Sequence, residues 1–117
     1  MPYRFVLESG VRSVRGAQAA LMLAALGDVV LETGETLDRH RPIGAYQGIA
    51  LASAQRTPQQ HAAGGVHYML CRYAAGDVIP RPLKDGYYLI VSLAPDGDLA
   101  HGIRGSAEAQ ERMNAEL

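Results

Sequence analysis

The tripeptide Lys84-Asp85-Gly86 lies between Val78–Leu83 and Tyr87–Leu93, two runs rich in β-forming residues. An Asp-Gly pair in that position supplies the positive-φ backbone of a tight hairpin, so this part of the chain must contain antiparallel strands. Upstream, Val66–Tyr73 is another β-forming run, joined to the first through the Ala75-Gly76-Asp77 turn. Pro80 and Pro82 set a condition on this meander. Neither can donate a ladder bond, so the strand that carries them is either short or incompletely paired along one flank.

Ala17–Ala25 is apolar but too short for an ordinary buried helix, and Leu26-Gly27-Asp28 leads from it into the β-branched Val29–Thr33. Two strands about a tight turn fit this pattern, with Gly27 supplying the positive φ; the weak β-propensity of alanine leaves a helix as the alternative. Helical spacing marks three other stretches. Leu7, Val11 and Val14 recur over and just beyond Pro2–Ser13, a short helix weakened by Gly10. Ile43, Gln47, Ala50, Leu51 and Ala54 recur over Pro42–Arg56, with Asp38 placed to cap, Pro42 to occupy the first turn, and Thr57-Pro58 to kink or end the helix. Gly64-Gly65 then resets the chain for strands. Leu99, Ile103, Ala107, Gln110 and Met113 mark a C-terminal helix over Leu99–Leu117. The order α-β-β-α-β-β-β-α describes one α+β domain over residues 1–117: a five-stranded, mainly antiparallel sheet with helices on both faces.

The 117 residues are 48% hydrophobic and 20% charged, enough apolar material for one core and too little chain for a second domain. Eleven basic residues against 12 acidic ones leave no positive excess to neutralise a row of phosphates, and one Phe with no Trp makes a poor stacking platform. Nucleic acid is not an expected partner. The longest apolar run, Ala19–Leu26, falls well short of the ~20 residues of a spanning helix, and Met1–Gly10 lacks the layout of a secretion signal. Cys71 is the only cysteine, so no internal disulfide can form. A soluble cytoplasmic protein without membrane insertion is expected.

His40, His61, His67 and His101 show none of the close spacings that put two metal ligands on one face. Cys71 alternates with Met69 and Tyr73 and reads as a small hydrophobe of a strand. Gly-x-Ser-x-Gly, Gly-x-x-x-x-Gly-Lys and Gly-x-Gly-x-x-Gly motifs are missing from the sequence. Asp96-Gly97-Asp98 is a turn rather than a calcium loop, and Glu108 and Glu111 with Arg104 and Arg112 form a solvated helix face. No catalytic residue, metal site or cofactor is expected.

Gly44, Gly48 and Ala52 step by four along Pro42–Arg56 and would line a side-chain-poor furrow. Glycine inside a helix costs about 1 kcal/mol relative to alanine, which implies a close backbone approach. Either the domain's own sheet or the helix of a second copy could make it, and the second copy would also cover Ile49.

Val14-Arg15-Gly16-Ala17, the Gly27-Asp28 turn with Val29-Val30-Leu31-Glu32, and the Gly48–Arg56 helix come in a suggestive order. Leu83-Lys84-Asp85-Gly86-Tyr87-Tyr88-Leu89-Ile90-Val91 and Leu99-Ala100-His101-Gly102-Ile103-Arg104 follow them. Over nearly the whole chain this pattern resembles the roadblock/LC7 domain, a family of small dimeric regulators and scaffolds of Ras-like GTPases and of dynein. The resemblance implies a profilin-like fold and a homodimer in which Val66–Tyr73 pairs with its copy at the sheet edge while the central helices lie side by side. Gly44, Gly48, Ile49 and Ala52 on the helix, and Val66, Tyr68, Leu70 and Arg72 on the strand, are the residues expected at that interface. A bare β-prone edge invites aggregation, which is an independent reason for such a cover.

The function that follows is a non-enzymatic adaptor whose composite dimer surface binds a partner protein, foremost a small Ras-like GTPase as in bacterial gliding and polarity systems. An activator can supply an arginine to the transition state, and Arg39, Arg41, Arg56, Arg72 and Arg81 are the candidates. Arg39 and Arg41 stand out because positive charge at a helix start opposes the dipole and marks a site for an acidic partner. Two rivals come from other classes. One is a small-molecule-sensing profilin-like or PAS-like module with its ligand beneath the Ala-rich first strand and the small-residue helix. The other is a Cys-dependent enzyme that pairs Cys71 with one of the histidines.

Overall fold

The computed structural model describes residues 2–35, 37–56 and 62–117; the expected helix stop at Thr57-Pro58, and His61, lie outside them. The middle strand of the sheet is β5 (Tyr88–Leu93), reached through the Asp-Gly turn, where Asp85 takes φ 62° and Gly86 φ 82°. Both values are positive, as a hairpin turn of mirror-image type demands. The turn returns β5 alongside β4 (Gly76–Pro82), with Ile79 opposite Val91. On its other side β5 pairs with β1 (Ala17–Leu23), Leu21 facing Ile90, and β1 turns at Leu26-Gly27 into β2 (Val29–Gly34). With β3 (Cys71–Tyr73) beyond β4, the order is β2-β1-β5-β4-β3, each described pairing antiparallel.

Alternation along the strands sorts the core into two layers. Ala19, Leu21, Leu23, Val78, Tyr88 and Ile90 pack beneath Leu51 of α2 (Leu37–Gln55). Ala20, Met22, Leu89 and Val91 pack against Val6 and Leu7 of α1 (Pro2–Ser13) and Ala109 and Met113 of α3 (Leu99–Glu116). Because helices cover both faces, every residue of β5 is buried. The same two-sided burial makes the alanine-rich run a strand: Ala19 and Ala20 are both buried, one under each layer.

Two expectations are corrected. α2 is already helical at Leu37, so Asp38 lies inside its first turn instead of capping it, and Pro42 stands in the second turn. There the missing N–H forfeits a bond to the Asp38 carbonyl. The second correction is that Val66–Tyr73 is a strand only from Cys71 onward. Met69 N–H donates to the Pro80 carbonyl at 3.0 Å. Pro80 has no N–H to return, so the two-bond rung is never completed. This is the incompletely paired flank that the two prolines imply.

Candidate interaction surface

The described residues contain no group of three His, Cys, Asp or Glu placed to hold a metal. His40 is buried with its Nε2 at 2.6 Å from Ser92 Oγ, while His67 is exposed. Cys71 is half-buried and its thiol donates to Gln47 Oε1 at 3.0 Å. Burial pushes that thiol's pKa up, against a smaller opposing effect of the Gln47 bond, whereas a nucleophile needs it lowered. Its hydrogen bond runs to an amide and not to an imidazole, which is the arrangement of a packed side chain.

The arginines separate on placement. Arg41 makes paired contacts with Glu32, the shortest 2.7 Å, and a further one with Asp38 at 2.9 Å. Its charge at the start of α2 is thus answered within the chain. The Arg41 hydrogen bonds hold the Glu32 carboxyl below its ordinary value, partly offset by burial. A carboxyl lowered in the folded state contributes stability that is full above its ordinary value of 4.5 and is lost as pH falls through the lower folded one. The native chain's melting temperature should therefore fall more steeply in acid than that of Glu32→Gln, by about two degrees for so exposed a pair. Parallel curves would show that the pair adds nothing.

Arg39 is exposed and reaches Gln18 Oε1 at 3.3 Å, and Arg56 is exposed at the end of α2. Arg72 is exposed and bound to Asp77 at 2.9 Å. Arg81, expected on the partner-binding surface, is buried at 3% exposure, so it cannot touch a partner from where it stands. On β4 its side chain points to the α3 face, where Ser106, Gln110 and the Ile103 carbonyl bind it. No pattern of nearby apolar residues announces this, because the surrounding prolines leave the strand's facing ambiguous.

The glycine step is likewise resolved by the chain's own sheet. Gly44 faces Leu23 and Ile90, and Gly48 faces the ring of Tyr88, whose hydroxyl donates to the Gly44 carbonyl at 3.2 Å. These two expected interface residues are buried against β1 and β5, and Gly48 also borders, with Ala52, the open cleft beside the β4–β5 turn. Ala52 is half-buried and Val66 packs on the α2 side of the core.

What α2 does leave open is its outer side, where Tyr46 and Ile49 are each 67% exposed. Tyr46 carried no signal of its own, although it stands one helical step before Ile49. The same helix leans on the sheet edge: Gln47 Nε2 donates to the Tyr73 hydroxyl at 2.6 Å, and Gln47 Oε1 accepts from Cys71. Along that edge Tyr68, Leu70 and Tyr73 are partly exposed. Ladder parity turns the main-chain groups of Cys71 and Met69 toward β4, and those of Leu70 and Arg72 outward. Among the described residues, an exposed apolar helix face and a strand edge with no further strand beside it therefore adjoin. Such an arrangement can add a strand and bury a helix at once.

No space for a sensed ligand remains between the small-residue helix and β1, where Gly44 meets Leu23 and Ile90 and Gly48 meets Tyr88, and the opposite face of β1 is equally close-packed. Between Ala20, Leu89 and Val91 and the α1 and α3 side chains about 10 Å³ remains, no more than the room of a single water. An open cleft of about 250 Å³ lies between α2 and the β4–β5 turn, lined by Gly48, Leu51, Ala52, Gln55, Leu83 and Tyr87. It falls below the ~300 Å³ at which ligand pockets begin. No helix among the described residues is long and apolar enough to cross a membrane.

No protein-family model matches the sequence, and no curated protein matches it. Solved structures do. A Roadblock/LC7 domain from Streptomyces avermitilis superimposes with a TM-score of 0.82 at 17% identity, covering 97% of this chain and 96% of that one. MglC from Myxococcus xanthus gives 0.79 at 21% identity with both chains fully covered, 100% each. The gliding protein MglB from Thermus thermophilus gives 0.83 at 14% identity, over 97% of this chain and 87% of that one. End to end, with α1, α2 and α3 packed about a single antiparallel sheet, the chain has the roadblock/LC7 fold.

Proposed function

We propose that this protein is a non-enzymatic regulator that works as a homodimer and offers a composite surface to a protein partner, a small Ras-like GTPase being the class that fits best. The observation that carries the reading is the adjoining pair of open features: the β3 edge, and the outer side of α2 with Tyr46 and Ile49. Left in water, each is a liability; joined across a twofold axis, strand pairs with strand and helix covers helix. The fold shared with MglB, MglC and a Roadblock/LC7 domain supports the GTPase as partner class. The raised thiol pKa of Cys71 and the filled space under β1 speak against the enzyme and ligand-sensing readings.

Sedimentation at micromolar concentration tests the assembly, and hydrolysis by a small Ras-like GTPase, with and without the protein, tests the partner. A dimer that binds the nucleotide-loaded GTPase and changes its hydrolysis rate is the expected result. A chain that sediments only as a monomer, or a dimer with no affinity for such GTPases, would overturn the corresponding half.

A further inference from the structure

We infer that Arg81, together with Tyr68 and Gln110, forms a side-chain clamp that holds residues 66–70 against β4 in place of a backbone ladder, and that this clamp sets the shape of the pairing edge. The second clause rests on the homodimer reading; the first does not.

In a regular antiparallel ladder the rungs Met69–Pro80 and His67–Pro82 would each exchange two hydrogen bonds. Proline removes the donor from both. Of those bonds the structure keeps one, from Met69 N–H to the Pro80 carbonyl. Gln110 of α3 occupies the next rung instead: its Nε2 donates to the Pro82 carbonyl at 2.6 Å and reaches the His67 carbonyl at 3.4 Å. Its Oε1 accepts from Arg81 Nη1 at 3.1 Å.

Arg81, the residue between the two prolines, completes the device. Its Nε donates to Ser106 Oγ at 2.9 Å and its Nη2 to the Ile103 carbonyl at 2.8 Å. None of these acceptors is a carboxylate, although the guanidinium is almost fully buried. Above it lies the ring of Tyr68, with the guanidinium carbon 4.5 Å from the ring centre. A cation removed from water and answered only by neutral oxygens is where an aromatic face contributes most. Tyr68 thus presses residues 66–70 onto the sheet from one side while its main-chain groups face outward by ladder parity. At 40% exposure it can be removed without opening the core.

Hydrogen exchange and Cys71 labelling on the full chain test the clamp. The Cys71 thiol is held by Gln47 and adjoins the clamped segment, so lifting of the edge bares it. Tyr68→Ala should raise exchange at the Met69 amide and labelling of Cys71 by roughly five- to thirtyfold, with amides of β1 and β5 unchanged. Tyr68→Phe, which keeps the ring, should behave as the native chain. Rates within about twofold of native in Tyr68→Ala, or a rise spread equally over β1 and β5, would overturn the clamp. Arg81→Lys keeps the charge but not the fork, and its side chain is out of a second copy's reach. Sedimentation should show it self-associating at least about tenfold more weakly than the native chain. Unchanged association with raised exchange overturns the claim that the clamp shapes the edge. A native chain that is monomeric overturns the pairing and leaves the exchange rates to judge the clamp.

Discussion

Replacing Gly48 by alanine is expected to destabilise the domain by about 2–3 kcal/mol, read as a lower denaturation midpoint with an unchanged slope. A Cβ at that position would overlap a ring carbon and the hydroxyl of Tyr88. The ring cannot swing aside: Tyr88 is buried in the sheet and its hydroxyl is tied to the Gly44 carbonyl at 3.2 Å. Intrinsic helix propensity pulls the other way, favouring alanine by about 1 kcal/mol. The sign of the change therefore decides whether this glycine is merely tolerated or is required by the approach of Tyr88. Adding Tyr88→Leu to the same chain should recover much of the loss, because the two side chains contend for one space. A Gly48→Ala chain as stable as the native one would remove the close approach from the account.

The second large effect concerns association. A chain carrying Ile49→Asp and Leu70→Asp should sediment as a monomer at concentrations where the native chain is a dimer, with self-association weakened more than ~100-fold. Ile49 is 67% exposed and Leu70 38%, so a carboxylate at either site remains hydrated in the isolated fold, and far-ultraviolet circular dichroism of the variant should match the native chain. Across a pairing edge and a helix-to-helix contact, the same carboxylates would have to give up water. Dimerisation that survives both substitutions would place the interface elsewhere on the molecule. GTPase stimulation measured on the same variant then tells whether the partner needs the dimer or only the protomer.

Much of this architecture is legible in the sequence, and the legible part has a common character. The Asp85-Gly86 and Gly27 turns, the helical spacing in Leu99–Leu117 and the incomplete flank imposed by Pro80 and Pro82 are all consequences of a residue's own dihedral preferences or of a missing N–H. Of the residues proposed for an interface, Ile49, Tyr68, Leu70 and Arg72 are exposed on the outer side of α2 and at the sheet edge, and so is Tyr46, which the sequence pattern does not single out. What the sequence does not reveal rests on contacts between distant parts of the chain. Gly44 and Gly48 were open to a second copy until Tyr88, far along the chain, filled the step. Arg81 looked like a surface charge until Ser106, Ile103 and Gln110 of α3 closed over it.

The sequence by itself determined where the chain turns and that one strand flank must lack its donors, because turn dihedrals and proline's missing N–H are properties of single residues. Only the tertiary structure decided the strand order β2-β1-β5-β4-β3, the occupant of the glycine step and the burial of Arg81. Those depend on which remote side chain reaches a given space first, and close packing admits one occupant.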